Sequence, residues 1–122
     1  MGLALIHPQE VEVFYILPAL RREFAAVFKA NGLSQAEIAR LFGVTESAVS
    51  QYLSDKRAAG IALGKNIKAR VVQAAPRITT QKRFVFEIQQ LLNLLMETKE
   101  TCRIHKQFAT DLARDCAMCF ER

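Results

Sequence analysis

The chain has 122 residues, 51% of them hydrophobic, and carries 17 Lys and Arg against 12 Asp and Glu, a net charge of +5. That is enough apolar mass for one packed domain, or a small domain with an appendage, and it excludes wholesale disorder. No run approaches the ~20 apolar residues of a membrane span, and the first residues lack the basic, apolar and small-residue succession of a secretory signal, so a cytoplasmic protein with no membrane contact is expected.

The positive charge is one block. Residues 1–54 hold 4 basic and 5 acidic groups, and residues 84–122 hold 5 and 6. Between them stand Lys56, Arg57, Lys65, Lys68, Arg70, Arg77, Lys82 and Arg83 against Asp55 alone. A block of that sign attracts a polyanion, unless it is a solvated linker face. No phosphate-cradling glycine loop and no nucleophile elbow occurs, so an enzyme is not expected.

In chain order, Pro8 and Pro18 can each open a helix. The pattern predicts a short helix or extended lead over 9–16, then a helix from Pro18 to about Ala30 with Leu20, Phe24, Val27 and Phe28 on one face. Asn31-Gly32 ends it, because both residues accept the left-handed conformation of a helix C-terminus. Ser34 caps the next helix, with Glu37 completing a capping box, and that helix stops at Gly43. Thr45 caps a helix that runs to about Leu53. A basic connection covers 55–64, and a short helix covers Asn66–Ala75, ended by Pro76. Thr80 caps the longest helix, about Gln81 to Thr98. The tail from Thr101 to Phe120 reads as two helical pieces around Cys116. The expected organisation is residues 1–62 as one unit and 63–122 as a second, all-α throughout.

The strongest signal is residues 35–54, QAEIARLFGVTESAVSQYLS. Small Ala39 lets two helices cross closely, and Gly43 suits a turn with positive φ. Ile38, Val44, Val49 and Tyr52 face inward, and residues 18–30 supply the third helix that such a pair needs. This segment closely resembles the helix-turn-helix of lambda-repressor/Cro-like transcriptional regulators, and the similarity extends from about Pro18 to Arg57. The resemblance implies an all-α helix-turn-helix domain that binds double-stranded DNA. The alternative is a helical hairpin without DNA binding.

The outward face of the second motif helix carries Thr45, Glu46, Ser47, Ser50 and Gln51, the face that such a motif places in the major groove. Gln51 can pair bidentately with adenine, Glu46 can accept from cytosine N4, and Ser47 and Ser50 can serve several bases. By the family resemblance, Gln35 at the start of the first motif helix would bind a phosphate, helped by its backbone amide. Ser54, Lys56 and Arg57 would clamp the DNA backbone. Glu46 is an acid at a leading base-contact position, which favours sequence-specific reading over general coating of DNA.

One such module is a small contact, and regulators of this type are usually symmetric dimers on two half-sites. The helix over 81–98 is the expected dimer element. Phe84, Ile88, Leu91 and Leu95 make one apolar stripe, and Val85, Leu92 and Met96 make a second that would be buried against another copy of the chain.

All three cysteines lie in the last 21 residues, as Cys102-x-x-His105 and Cys116-x-x-Cys119. Residues three apart on a helix are neighbours, so each pair can present two donors to one centre. Four such donors fit Zn²⁺ or an iron–sulfur cluster held by three Cys with His or an exogenous fourth ligand. Arg103, Lys106 and Arg114 would stabilise the negative charge of a thiolate-bound centre. The architecture looks like that of cluster-bearing regulators of redox stress, which use different DNA-binding folds. The favoured expectation is therefore a homodimeric DNA-binding regulator modulated by an iron–sulfur cluster. The alternatives are a zinc-stabilised regulator, an antitoxin-like DNA-binding subunit with a protein partner, and buried inert thiols.

Overall fold

The computed structural model describes residues 7–54, 61 and 63–108. The chain enters through a capped proline start. The backbone N–H of His7 donates to the Glu10 carboxylate (3.0 Å), and Pro8 fills the first helical position, where no N–H partner is needed. Helix α1 (Pro8–Val11) passes into a π turn (Glu12–Ile16) and then into α2 (Leu17–Ala30). Sequence pattern predicts a separate lead and a fresh helix at Pro18, whereas helical backbone runs through the proline. The π turn accounts for the difference: the Leu17 N–H reaches back five residues to the Glu12 carbonyl. A proline in regular α-helix donates no bond and presses on the carbonyl four residues earlier. The wider turn just before Pro18 relieves that crowding.

The end of α2 is a Schellman motif. Gly32 N–H donates to the Lys29 carbonyl (3.1 Å) and Leu33 N–H to the Phe28 carbonyl (3.0 Å), with Gly32 at φ 93°. Helix α3 (Gln35–Phe42) opens on the expected reciprocal box: Glu37 N–H donates to Ser34 Oγ (3.2 Å), and Ser34 N–H donates to Glu37 Oε1 (3.1 Å). It closes on Gly43 at φ 70°, ψ 34°. Helix α4 (Glu46–Ser54) is capped by Thr45, whose Oγ1 accepts from Ala48 N–H (3.1 Å). Helix α5 (Lys65–Ala74) tightens into a 3₁₀ turn (Ala75–Arg77) at Pro76. Helix α6 (Gln81–Glu97) starts on Thr80, whose Oγ1 accepts from Arg83 N–H (3.1 Å). Helix α7 (Glu100–Phe108) follows a sharp turn at Lys99, φ 63°. The described residues hold no strand, in line with the all-α expectation. The second half of the expected tail, beyond residue 108, lies outside the described residues.

Helix α2 is the hub. It packs against α3, α4 and α5, while α6 lies on α3 and α5, and α7 lies on α1 and α6. The join between the motif and the long helix is aromatic. Phe84 of α6 stacks on Phe42 of α3 with centroids 4.3 Å apart and planes 10° from parallel. It also meets Phe24 of α2 edge-on at 5.4 Å. Phe28 and Tyr52 extend the cluster on either side of Phe42, at 6.2 and 6.1 Å. Such pairs add about 0.5–1.5 kcal/mol each beyond their area burial. The stripe Phe84, Ile88, Leu91 and Leu95 is buried as expected, and Leu92 of the second stripe joins the same core.

Candidate nucleic-acid interface

Two capped helices and a glycine turn set the geometry. Gly43 is the only motif residue in the left-handed region. A Cβ there would lie 2.8 Å from Cδ of Gln81 and closer still to its Nε2, so the first residue of α6 rests on the motif's turn. The positive φ is what requires glycine at 43, since the exposed end of the Gln81 side chain can move aside.

On α4, Val49 is buried against α2, and Tyr52 and Leu53 are half-buried. Glu46, Ser47, Ser50, Gln51 and Ser54 fall on the opposite arc and are exposed, as is Thr45. The helix therefore turns its apolar side to the core and all six expected polar positions to solvent.

Several of these side chains already have local work. The Gln35 side-chain amide donates to the Glu46 carbonyl (2.8 Å) and to the Ser50 hydroxyl. It ties the start of α3 to the first turns of α4 and fixes their relative placement. The Ser54 hydroxyl donates back to the Ser50 carbonyl (3.0 Å) at the end of α4. Thr45 Oγ1 is the helix cap. Glu46, Ser47 and Gln51 project from the same arc and are exposed. Sequence spacing showed which residues share a face; it did not show the bond from Gln35 to Ser50, which depends on how two helices cross.

The Ser34 N–H and hydroxyl that bond Glu37, with Arg40 nearby, hold the Glu37 carboxyl below its usual range. This carboxylate belongs to the start of α3 and stabilises the motif.

Of the basic block, Lys56 and Arg57 lie outside the described residues. Lys65, Lys68, Arg70, Arg77 and Lys82 are exposed. Arg83 pairs with the buried Glu87 at 2.7 Å, and Arg77 approaches the same carboxylate at 3.6 Å. Two of the block's cations thus neutralise an internal acid, which leaves fewer for a polyanion than the bare count implies. Glu87, four residues after Arg83, was a visible clue to this pairing.

Cys102 and His105 stand one turn apart on α7, and both are buried, at 7% and 5% exposure. Arg103 on the outer side pairs with Glu100 at 2.7 Å. Cys116, Cys119 and Arg114 lie outside the described residues. Among the described residues, no group of three or more metal-binding side chains occurs. No described helix is long and apolar enough to cross a membrane.

Residues 25–65, about a third of the chain, match a family model described as Helix-turn-helix. No curated protein and no solved structure matches the chain. The matched stretch runs from the second half of α2 through α3 and α4 to the start of α5, which covers the capped pair and the outer arc described above. Residues 25–65 are thus similar to the helix-turn-helix domains of DNA-binding transcriptional regulators.

Proposed function

We propose that the protein is a sequence-specific transcriptional regulator that binds double-stranded DNA as a homodimer, with residues 1–62 reading DNA and residues 63–122 joining two copies. The observation that carries this reading is the outer arc of α4, where polar, hydrogen-bonding side chains at 46, 47, 50 and 51 face solvent together on a capped helix. Such groups match base edges in the major groove, and Gln51 is suited to adenine. Gln35 through its backbone N–H, Ser54, Lys56 and Arg57 are the backbone-gripping set, while the Gln35 side-chain amide holds α4 in place.

The DNA response is assigned to a Cys/His centre, with an iron–sulfur cluster favoured over zinc. What supports it is the burial of Cys102 and His105 on one turn of α7, next to Thr101, whose wholly buried hydroxyl has no hydrogen-bond partner among the described residues. A buried orphan hydroxyl on the same helix turn suits a site that takes up one more polar partner. Cys116 and Cys119 would complete the donor set. When bound, a cluster would supply sensitivity to oxidants or iron supply, and zinc would supply rigidity.

Two measurements test the reading. Gln51→Ala should cost ~1–3 kcal/mol at one operator position and relax preference there; equal loss on every sequence would remove Gln51 from base reading. Protein purified without oxygen should carry iron and sulfide with visible absorption. One zinc per chain would replace the cluster with a structural ion, and neither metal would remove the centre from the account.

A further inference from the structure

Helix α6 is 17 residues long, yet between Arg83 and Glu97 its one charged residue is Glu87, which is buried at 6% exposure. The face it leaves to solvent carries Phe86, Gln89, Gln90 and Asn93, with Val85 on the flank. Phe86 is 47% exposed and Val85 55%. Solvated helix faces usually carry charges, whereas interface centres are depleted in charge and enriched in aromatic residues. The guanidinium of Arg83 lies 4.8 Å from the Phe86 ring centroid and covers part of one ring face.

The charges at the two ends of this face identify its occupant. Lys82, Phe86, Gln89, Asn93 and Glu97 recur every three or four residues and so share one side of the helix. Lys82 begins the row and Glu97 ends it, both exposed. An antiparallel second copy of α6, related by a two-fold axis passing between Gln89 and Gln90, sets Lys82 of each chain opposite Glu97 of the other. The same register places Phe86 opposite Asn93 and matches amide to amide at the centre. A parallel copy would set lysine against lysine and glutamate against glutamate.

We propose that this face of α6 is the self-association surface, with two α6 helices antiparallel in that register. The inference rests on the dimer reading above and adds its surface and orientation. It also replaces the expected stripe of Val85, Leu92 and Met96, because Leu92 is used by the chain's own core. A two-fold contact uses the same patch twice, so each end pair is formed in two places.

Sedimentation of the full-length protein over a range of concentrations tests it, with far-UV dichroism and thermal unfolding confirming that each variant is folded. Wild type should sediment as a dimer. Phe86→Glu should raise the dimer dissociation constant by about tenfold or more, as loss of an interface aromatic anchor does. Lys82→Glu and Glu97→Lys should each weaken the dimer, and the two combined should restore it, since the swapped charges again meet across the two-fold. A wild-type dimer indifferent to all these changes would overturn the surface while leaving dimerisation intact. Single reversals that weaken the dimer without rescue in the double variant would overturn the antiparallel register. A monomer at every concentration would overturn both the surface and the dimer reading.

Discussion

In the proposed regulator, Gln35 would serve both fold and recognition. Its side-chain amide donates both N–H groups, to the Glu46 carbonyl and the Ser50 hydroxyl, so a phosphate at Gln35 would be held by the backbone N–H while the side chain fixes the position of α4. Hydrogen bonds of this kind contribute about 0.5–1.5 kcal/mol each. Gln35→Ala should therefore weaken binding to the cognate site more than to random duplex, read by competition anisotropy; equal weakening would reduce Gln35 to a phosphate contact. Glu37 gives a pH test. Its folded carboxyl is held below its usual range by bonds from Ser34, so its contribution is complete above the unfolded value and is lost as pH falls through the folded one. Glu37→Gln should lessen the loss of thermal stability on acidification, and an unchanged pH profile would deny the carboxylate that role. Caps were legible residue by residue, because Ser34, Glu37, Thr45 and Thr80 act within one turn. The Gln35–Ser50 bond and the Arg77–Glu87 contact were not, because each joins separate elements.

Among elements, α2, α3 and α4 were legible from apolar spacing and punctuating glycines, and each boundary falls within a residue or two of expectation. The continuous passage through Pro18 was not, since a π turn answers crowding in space and leaves no periodic mark. The placement of α6 was half legible. Its Phe84 stripe was evident, but nothing in the spacing said that Phe84 would enter between Phe24 and Phe42. That contact makes α6 part of the motif's own core. Phe84→Ala should destabilise the fold by about 3–5 kcal/mol and lower DNA affinity with it, measured by denaturant unfolding. A loss confined to self-association would mean that α6 is only an accessory to the motif. Gly43→Ala should also destabilise in the same denaturant measurement, through the strain of its positive φ.

At the scale of the molecule, the proposed regulator divides the labour between a charge-poor face on α6 for self-association and a polar arc on α4 for reading. The concentration of basic residues between them is less available than it looked, because Arg77 and Arg83 attend to Glu87. Lys56→Ala should lower the salt slope of DNA binding by about one, and an unchanged slope would exclude Lys56 from the phosphate contacts. Cys116→Ser should abolish metal retention if the Cys/His centre is assembled as proposed, and retained metal would mean a different ligand set. The most direct test of the whole account is selection of binding sites by the full-length protein from a random duplex pool. The account predicts enrichment of an inverted repeat whose half-sites lie about one helical turn, or a multiple of it, apart. Recovery of duplexes with no shared sequence would contradict it.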